Sequence, residues 1–522
     1  MATLQSLLER GYFPRELPPP FNTVSFATHA VTVGAAWPKK TWTRCVAHNL
    51  SRPGGLRRPL KIPNPVSYFV LCDVLSKNWA LLKQHTWKVR LSASRPYLMK
   101  NSPRAVLPRY RYGELPRIRA LRRRGTRYLL RTDITQFYPA LYTHTIPWAL
   151  HTKLVCKTAL STPDKGKSLT GSLIDSALQC ANEGQTHGIP IGPDASLVVA
   201  EVLLAAIDQA LIARCPNLVR GFRYVDDFEL AFTKLSDAEQ VLMELQGILA
   251  SFELNLNPRK TKIQELPIPL DDSWAIELGR FPLRRKGTAI SQRNDFIALF
   301  SRAFELAVER PEDSILKYVI ARVQNEDVDT KGWRAFQNCV LGAAGAEPSS
   351  LATAFGTLHH AATTGGHSVS KAPLAEVFEG IILRHAPRGE GSEVAWALWG
   401  ALAWSVPLSA DVARAVGTLD DDVVALLSLD ADSRGLFPAG SLDKQQWSNI
   451  VSQAGVLLTE HWLLAYEANH QKWLASPALA KHAEFKAMEK AGVSFYDRAE
   501  NRPQVPSAAG GIPGGRLSDF YA

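Results

Sequence analysis

The sequence predicts an α+β region followed by an all-helical region. Two runs of strand-like composition, YLLRTDI at about residues 128–134 and GFRYVDDFELAF at 221–232, stand on either side of a long apolar segment at about 196–214. From about 290 to 500 such runs nearly disappear, and Ala, Leu and Trp recur three and four residues apart. That spacing is typical of helices with one apolar face.

Length and composition allow more than one packed core, since the chain has 522 residues and 46% of them are hydrophobic. We predict an extended N-terminal segment at 1–35, because GYFPRELPPPF is stiffened by proline. An α+β domain is predicted at 36–290. A helical domain follows at 291–500, stacked in the manner of HEAT-like repeats, and a flexible tail rich in Gly and Pro is expected at 501–522.

The cysteines and the apolar runs indicate the cellular compartment in which the protein is expected. Six cysteines are widely separated and form no CxxC pair, so we expect reduced core thiols rather than disulfides or zinc ligands. No apolar run is expected to be long enough for a membrane span, and the N-terminus does not resemble a signal peptide. We therefore expect a cytoplasmic protein without a membrane partner.

Positive charge is concentrated in one part of the chain. Between Trp37 and Arg131 there are 23 Lys and Arg residues against two acidic ones, although the net charge of the whole chain is only +11. The 391 residues after Arg131 therefore sum to about −10. A basic block with interleaved aromatic residues favours binding of nucleic acid or nucleotides, and a solvated basic face is the alternative.

Two adjacent aspartates, Asp226 and Asp227, interrupt an apolar run. Neighbouring side chains of a straight strand point to opposite faces, so both could not serve one site from such a strand. We expect a hairpin with FRYV and FELAF as its arms and the two aspartates at the turn. An acidic turn without function is the alternative.

A third carboxylate, Asp133, ends the other strand-like run. Acidic residues at paired strand ends can hold two divalent cations for phosphoryl transfer, and carboxylate oxygens are the ligands that Mg²⁺ prefers. Three carboxylates close together repel one another in the absence of a cation. The sequence therefore predicts a two-metal site for Mg²⁺, for which Mn²⁺ is a substitute.

Four short segments resemble the palm of reverse transcriptases in order and spacing. They are DITQFY at 133–138, GIPIGPDAS at 188–196, YVDD at 224–227 and LNLNPRKT at 254–261. The N-terminal GYFPRELPPPF, the segment FYPALYTHTIPWAL and the long helical C-terminal part are similar to one bacterial branch, the abortive-infection and defence-associated reverse transcriptases. This resemblance implies a right-hand polymerase fold, with fingers and palm of reverse-transcriptase type at 36–290.

The resemblance also implies roles for single residues. Asp133 and Asp226 match the principal metal ligands, Asp227 a supporting one, and the backbone carbonyl of Ile134 a further one. Lys260 matches the lysine that neutralises or protonates the departing pyrophosphate, and a solvated loop lysine is the alternative.

Further positions match contacts to the nucleotide and to nucleic acid. An aromatic at Tyr138 would lie beneath the incoming sugar and favour deoxynucleotides, although a core aromatic is the alternative. Where more typical reverse transcriptases carry Gln-Gly and Ser-Pro, this chain has His187-Gly188 and Gly192-Pro193, the latter usual in the defence branch. Helix capping by Ser196 is an alternative to its contact with nucleic acid. The dNTP-binding candidates are Phe137, Tyr138, Gly188, Pro190, Arg117, Arg119 and Arg131, and the nucleic-acid-binding candidates are Gly192, Pro193, Ser196 and Tyr224.

The function implied by the resemblance is a metal-dependent DNA polymerase in bacterial antiphage defence. It would add dNTPs to a 3′-hydroxyl or a protein hydroxyl with release of pyrophosphate, and several members of this branch work without a conventional template. The expected partners are dNTPs, a single-stranded DNA product, an RNA template and further copies of the chain in a homo-oligomer. The alternatives are an RNA-templated reverse transcriptase of retron or intron type and an inactive palm that serves as a nucleic-acid-binding scaffold.

Overall fold

The computed structural model describes residues 2–38, 40–160, 168–284 and 289–500, so the predicted tail at 501–522 lies outside the described residues. The strands are β1 (Val46–Ser51), β2 (Arg57–Ile62), β3 (Pro96–Leu98), β4 (Val106–Pro108), β5 (Tyr128–Asp133), β6 (Gly221–Tyr224), β7 (Asp227–Phe232) and β8 (Lys262–Glu265). The helices are α1 (Ala2–Glu9), α2 (Val24–Val33), α3 (Pro65–Lys77), α4 (Trp79–Trp87), α5 (Leu115–Arg123), α6 (Phe137–Ala140), α7 (Thr145–His151), α8 (Lys153–Leu160), α9 (Thr170–Cys180), α10 (Asp194–Arg214), α11 (Leu235–Ser251), α12 (Ser273–Gly279), α13 (Ala289–Glu309), α14 (Ile315–Arg322), α15 (Trp333–Ala346), α16 (Leu351–Gly365), α17 (Lys371–His385), α18 (Gly391–Trp404), α19 (Ala410–Gly417), α20 (Asp422–Ser433), α21 (Gln445–Val451), α22 (Trp462–His470) and α23 (Ala483–Lys490).

The chain forms two compact units, and neither is continuous in sequence. The first comprises Met1–Pro14, Thr23–Cys45 and Lys61–Leu270. The second comprises Arg15–Asn22, Val46–Leu60 and Asp271–Ala522. The units therefore divide at 270/271 in the second half of the chain. The assignment of 36–290 to fingers and palm and of 291–500 to a helical domain stays a prediction.

A four-stranded antiparallel sheet in the order β6-β7-β5-β8 forms the centre of the first unit. Strands β6 and β7 are the predicted hairpin arms. Along β7, Phe228, Leu230 and Phe232 are buried on one face, as their alternation with Glu229 predicts. Helix α11 packs on β5 and β7, and α10 packs on α11.

Helix α10 is the most apolar long helix of the first unit, and it corrects one expectation. By length and composition it could cross a membrane, with a mean hydropathy of 1.9 over its most apolar stretch, so the expectation that no apolar run has this length was wrong. In that stretch 72% of the residues are buried inside the protein. The apolar composition of α10 is explained by its position, because a helix that the core surrounds has apolar residues on all sides.

The N-terminal segment is only partly extended. Helices α1 and α2 flank a stretch without helix at 10–23, so the prediction of an extended segment over 1–35 was wrong on both sides of that stretch. The prolines that prevent helix formation are confined to positions 14–20. The flanking residues contain none, and they form helices.

Helices make up the regular structure of the C-terminal part, as predicted. Among residues 289–500, all of which are described, no strand occurs. Helices next to each other or one apart in the chain pack on one another, for example α17 on α18 and α18 on α20. The HEAT-like character of this packing stays a prediction. The six cysteines are free thiols, as expected.

Replacing Asp421 with Ala is expected to lower the thermal stability of the second unit. The Asp421 Oδ1 accepts hydrogen bonds at 3.0 Å from the backbone N–H groups of Val423 and Val424 at the start of α20, and its Oδ2 lies 2.9 Å from His48 Nδ1. Loss of such a cap costs about 1–2 kcal/mol. Scanning calorimetry should show a lower Tm, whereas Asp411→Ala, with a side chain 69% exposed, should leave it unchanged. Equal Tm values for both variants would contradict this role.

Candidate active site

Strand register brings the three predicted carboxylates together at one end of the sheet. Asp133, the last residue of β5, is directly opposite Asp227, the first residue of β7. Asp227 is in turn opposite Tyr224 of β6, which leaves Val225 and Asp226 as a two-residue turn. The Asp226 carbonyl accepts the backbone N–H of Ile134 at 3.3 Å. The predicted hairpin is confirmed, but its turn lies one residue earlier than expected: Val225 and Asp226 form the turn, and Asp227 begins β7.

Burial and the neighbouring carboxylates impede the ionisation of Asp226 and Asp227. Burial, followed by the charges of Asp227 and Asp133, raises the pKa of Asp226 to about 7. Part of the Asp227 side chain reaches solvent, yet desolvation by the surrounding protein and the Asp133 carboxylate raise the pKa of Asp227 to about 6. Asp133 is 5% exposed, and its buried Oδ1 has no hydrogen-bond partner among the described residues. The site therefore contains negative charge that the polar groups around it leave incompletely compensated.

These residues fit divalent cations. The triad offers hard oxygen donors, and the buried Oδ1 of Asp133 would gain a partner. A second group of possible metal ligands lies in the second unit. In the described part of the chain, His385, Glu390 and Glu393 are the three residues whose ligating atoms all lie within 4.8 Å of one another. There, Arg57 pairs with both glutamates, so a guanidinium already supplies the positive charge.

Lys260 lies at the triad, as the sequence predicts. Its Nζ is 2.5 Å from Asp133 Oδ2, and its side chain is 61% exposed. Burial acts to lower the pKa of Lys260, but the hydrogen bond and the charge of Asp133 outweigh it, and the pKa lies above its ordinary value. The loop that carries Lys260 is bound to the end of β5 through Asn257, whose N–H donates to the Asp133 carbonyl at 2.7 Å. The Lys260 ammonium group thus lies where its positive charge offsets part of the negative charge of the triad.

Two of the three predicted triphosphate-binding arginines converge on one carboxylate that the sequence reasoning missed. Glu229 accepts hydrogen bonds from Arg119 Nε at 2.8 Å and Arg123 Nη2 at 3.0 Å, and Arg131 Nη2 lies 3.8 Å away. Glu229 shares a sheet face with Asp227, two residues earlier, which was the available signal. Three guanidinium groups against one carboxylate leave an excess of positive charge within this cluster, beside the negative triad.

The third candidate, Arg117, lies apart from this cluster. Its side chain is 70% exposed and pairs at 3.5 Å with Glu114, one turn earlier. Arg123, which was not predicted, takes the corresponding place on Glu229. The spacing in RIRALRRR presents several arginines on different helix faces, so the sequence alone does not separate Arg117 from Arg119 and Arg123.

The segment after Asp133 packs along the GIPIGPDAS box. The Tyr138 carbonyl accepts the Ile189 N–H at 3.1 Å, and the Gly188 N–H donates to the Leu141 carbonyl at 2.9 Å. Gly188 has a φ of +84°, and a Cβ there would lie 3.3 Å from the Pro139 carbonyl oxygen. Tyr138 is half-buried. In contrast, Phe137 is 2% exposed and Pro190 is also buried, so the structure places these two candidates in the core.

Three of the nucleic-acid-binding candidates pack inside the first unit. Gly192 has a φ of +125°, and a Cβ there would lie 2.5 Å from Pro14 Cγ. Pro193 is buried and occupies the N-cap position of α10, so the N-cap alternative for Ser196 was wrong. Ser196 is the third helical residue and 2% exposed. The fourth candidate, Tyr224, is half-buried beside the triad and contacts Tyr112 edge to face at 5.8 Å.

Asp194, within the same box, was also missed. Its Oδ1 accepts from Arg104 Nε at 2.9 Å, its Oδ2 accepts the Val106 N–H at 2.9 Å, and its own N–H donates to the Gly11 carbonyl at 2.8 Å. Arg104 Nη1 also donates to the Phe13 carbonyl at 2.7 Å. The N-terminal segment and the box therefore form one packed structure.

A sheet end with three carboxylates, a lysine on one of them and an arginine cluster alongside is the arrangement expected of a nucleotidyltransferase site. Residues 81–281 match the family model described as Reverse transcriptase (RNA-dependent DNA polymerase). No curated protein matches the chain. The chain thus contains a reverse-transcriptase domain and is a reverse-transcriptase-like polymerase, which implies nucleotide substrates and nucleic acid. Domains of this family generally use divalent metals such as Mg²⁺.

Glu229→Gln is expected to destabilise the first unit by about 3 kcal/mol at neutral pH, because three arginines then share no carboxylate. Burial alone would raise the pKa of Glu229, but Arg119 and Arg131 lower it below its ordinary value. The ionised carboxylate therefore stabilises the fold above its unfolded-state pKa, and this contribution is lost as the pH falls through the lower folded-state pKa.

Thermal unfolding of wild type and Glu229→Gln at a series of pH values tests this. The Tm difference should be complete at pH 7 and should shrink below about pH 4. Glu265→Gln is the matched control, since Glu265 pairs with Arg127 on the surface and is 54% exposed. A Tm difference for Glu229→Gln that is independent of pH would contradict the assignment.

Proposed function

We propose that this chain is a metal-dependent DNA polymerase of reverse-transcriptase type that acts in bacterial antiphage defence. It adds dNTPs to a 3′-hydroxyl or to a protein hydroxyl and releases pyrophosphate. The observation that carries the proposal is the convergence of Asp133, Asp226 and Asp227 at one strand end within the matched domain. A scaffold that only binds nucleic acid would have no use for three mutually repelling carboxylates.

In this proposal Asp133 and Asp226 are the principal ligands of two Mg²⁺ ions, with Asp227 and the Ile134 carbonyl in support. When bound, such ions lower the pKa of the attacking hydroxyl and stabilise charge on the phosphoryl group. The fit of the residues supports this role, because the triad supplies oxygen donors and the buried Asp133 Oδ1 needs a partner.

The chain's own cations complete the proposed site. Glu229 offsets only part of the positive charge of Arg119, Arg123 and Arg131. The remaining charge is available to the triphosphate oxygens, which the guanidinium group can bind through two parallel hydrogen bonds. The Lys260 ammonium group separates from Asp133 and then donates a proton to the departing pyrophosphate. Half-buried Tyr138 lies beneath the sugar and disfavours a 2′-hydroxyl.

The assignment to the defence branch rests on the segments that resemble it. Two of them, GYFPRELPPPF and IGPDAS, contact each other through the Gly11 carbonyl and the Asp194 N–H at 2.8 Å. We also propose that this chain, like members of that branch, synthesises DNA without a conventional template, primes synthesis from a protein hydroxyl and assembles into a homo-oligomer. The HEAT-like helical domain would support that assembly in the bacterial cytoplasm. The description of the matched family favours a second candidate, RNA-templated synthesis.

Purified protein incubated with Mg²⁺ or Mn²⁺ and single dNTPs, without added nucleic acid, tests the two candidates. Protein-linked DNA, sensitive to protease and to nuclease, is expected for untemplated, protein-primed synthesis. Product only with primed RNA would support the second candidate. Asp226→Ala should abolish product, whereas Asp271→Ala, at an exposed aspartate, should not. Absence of product under all these conditions would contradict the polymerase function.

Lys260→Met is expected to lower the turnover rate and to raise the affinity for Mn²⁺. The ammonium group contacts Asp133, so a cation must displace it. For a pair exposed to this extent the gain in affinity is about fivefold. Electron paramagnetic resonance of free Mn²⁺ measures that affinity without reference to activity.

Lys262→Met is the matched control for this experiment. Lys262 is exposed and lies two residues further along the chain. Its replacement should leave the Mn²⁺ affinity unchanged. Weaker Mn²⁺ binding by Lys260→Met would show that the lysine assists the metal rather than competing with it.

A further inference from the structure

The turn that carries Asp226 has an unfavourable backbone conformation. Val225, the first residue of this two-residue turn, has a φ of +52°. A β-branched side chain is disfavoured in the left-handed region, where glycine and asparagine are the usual residues. Such a conformation persists only where the surrounding structure holds it.

Two hydrogen bonds hold both sides of Val225. The Val225 N–H donates to Ser94 Oγ at 2.7 Å, and the Val225 carbonyl accepts from Arg223 Nη1 at 2.7 Å. Ser94 lies in the segment that precedes β3, and Arg223 is in β6. Both polar groups of the strained residue are thus bound by side chains from outside the turn.

Ser94 and Arg223 are bound in turn to helix α10. Glu201 Oε1 accepts from Ser94 Oγ at 2.7 Å and from Arg223 Nη1 at 2.9 Å. Asp208, two turns further along α10, accepts from Arg223 Nε at 2.9 Å and Nη2 at 2.7 Å. Ser94, Arg223, Glu201 and Asp208 are each 0% exposed.

Buried ion pairs of this kind contribute little net stability, because desolvation offsets their attraction. A well-packed apolar core would serve the fold equally well at this place. What this network adds is direction. Ser94 Oγ and Arg223 Nη1 each bind one polar group of the Val225 backbone, and Glu201 and Asp208 hold those two side chains in place. The residue that immediately follows is Asp226.

We propose that Ser94 and Arg223, anchored by Glu201 and Asp208, are positioning residues that fix the direction in which the Asp226 carboxylate leaves the turn. They hold Val225 at positive φ, and this conformation turns Asp226 towards Asp133 and Asp227. The inference rests on the function proposed above for Asp226. It adds that α10, through its buried acidic residues, determines the geometry of the triad.

Ser94→Ala is the sharpest test, because it removes the acceptor of the Val225 N–H and leaves the Arg223 ion pairs in place. The turnover rate and the Mn²⁺ affinity are each expected to fall roughly tenfold, with the KM for dNTP unchanged. Mn²⁺ binding, followed by electron paramagnetic resonance, does not depend on activity. Calorimetry of the same samples determines whether the protein is folded.

Ser92→Ala is the matched control. Ser92 Oγ donates to the same carboxylate, at 2.9 Å from Glu201 Oε2, accepts the Ser94 N–H at 3.2 Å and lies 3.2 Å from Ser94 Oγ. It belongs to the same buried network without being either of the groups bound to Val225. Its replacement leaves the acceptor of the Val225 N–H in place, so the losses of turnover rate and Mn²⁺ affinity should be clearly smaller than in Ser94→Ala.

Val225→Gly in the Ser94→Ala background separates positioning from general stability. Glycine adopts positive φ without strain, so the double variant should recover turnover and Mn²⁺ affinity relative to Ser94→Ala. A network that only stabilised the core would show no such rescue. Should Ser94→Ala not fold, Ser94→Cys keeps a side chain of the same shape, slightly larger and with a weaker acceptor, and is judged by the same two measurements.

Three outcomes would overturn the inference: wild-type Mn²⁺ affinity and turnover in Ser94→Ala, an equal loss in Ser92→Ala, or no rescue by Val225→Gly. Failure of the proposed function looks different. In that case the wild type forms no product and Asp226→Ala binds Mn²⁺ as wild type does. An active wild type with an inactive Asp226→Ala leaves the proposed function intact whatever Ser94→Ala shows.

Discussion

Repulsion among Asp133, Asp226 and Asp227 is the constraint around which the first unit is organised. The strand register brings the three carboxylates together, and the raised pKa values of Asp226 and Asp227 reflect the resulting charge. Positive groups surround them on two sides, with Lys260 on one carboxylate and the arginines of Glu229 further along the same face. An array of alternating charge of this kind is suited to a substrate that brings phosphates and cations together.

A second group of charges lies below the triad, inside the core. Helix α10 is apolar enough to resemble a membrane span, yet it carries Glu201 and Asp208 where each is 0% exposed. Their partner Arg223 comes from the strand that leads into the turn with Asp226. The composition of α10 is therefore explained by two needs: its apolar residues fill the core, and its two acids bind the arginine of the neighbouring strand.

Much of the candidate site could be predicted because its residues follow local rules. Period-two alternation along β7 and the adjacency of Asp226 and Asp227 were sufficient for the hairpin, and the resemblance supplied Lys260. The pairing of Arg119 and Arg123 with Glu229 could not be predicted, because these residues are more than a hundred positions apart. Likewise, the packing of Gly192 on Pro14 and of Asp194 on Gly11 and Arg104 depends on tertiary structure that leaves no periodic signal.

The discontinuity of the two units in sequence affects how the protein is made. Residues 15–22 and 46–60 leave the ribosome long before the helices with which they form a unit. The contact of Trp396 Nε1 with the Glu16 carbonyl at 3.0 Å, for example, forms only after the intervening 379 residues have been made. During synthesis the second unit remains incomplete until its C-terminal helices emerge. A gene cut at 270/271 would leave residues 15–22 and 46–60 on the fragment that lacks the rest of their unit, so neither fragment would contain a complete second unit.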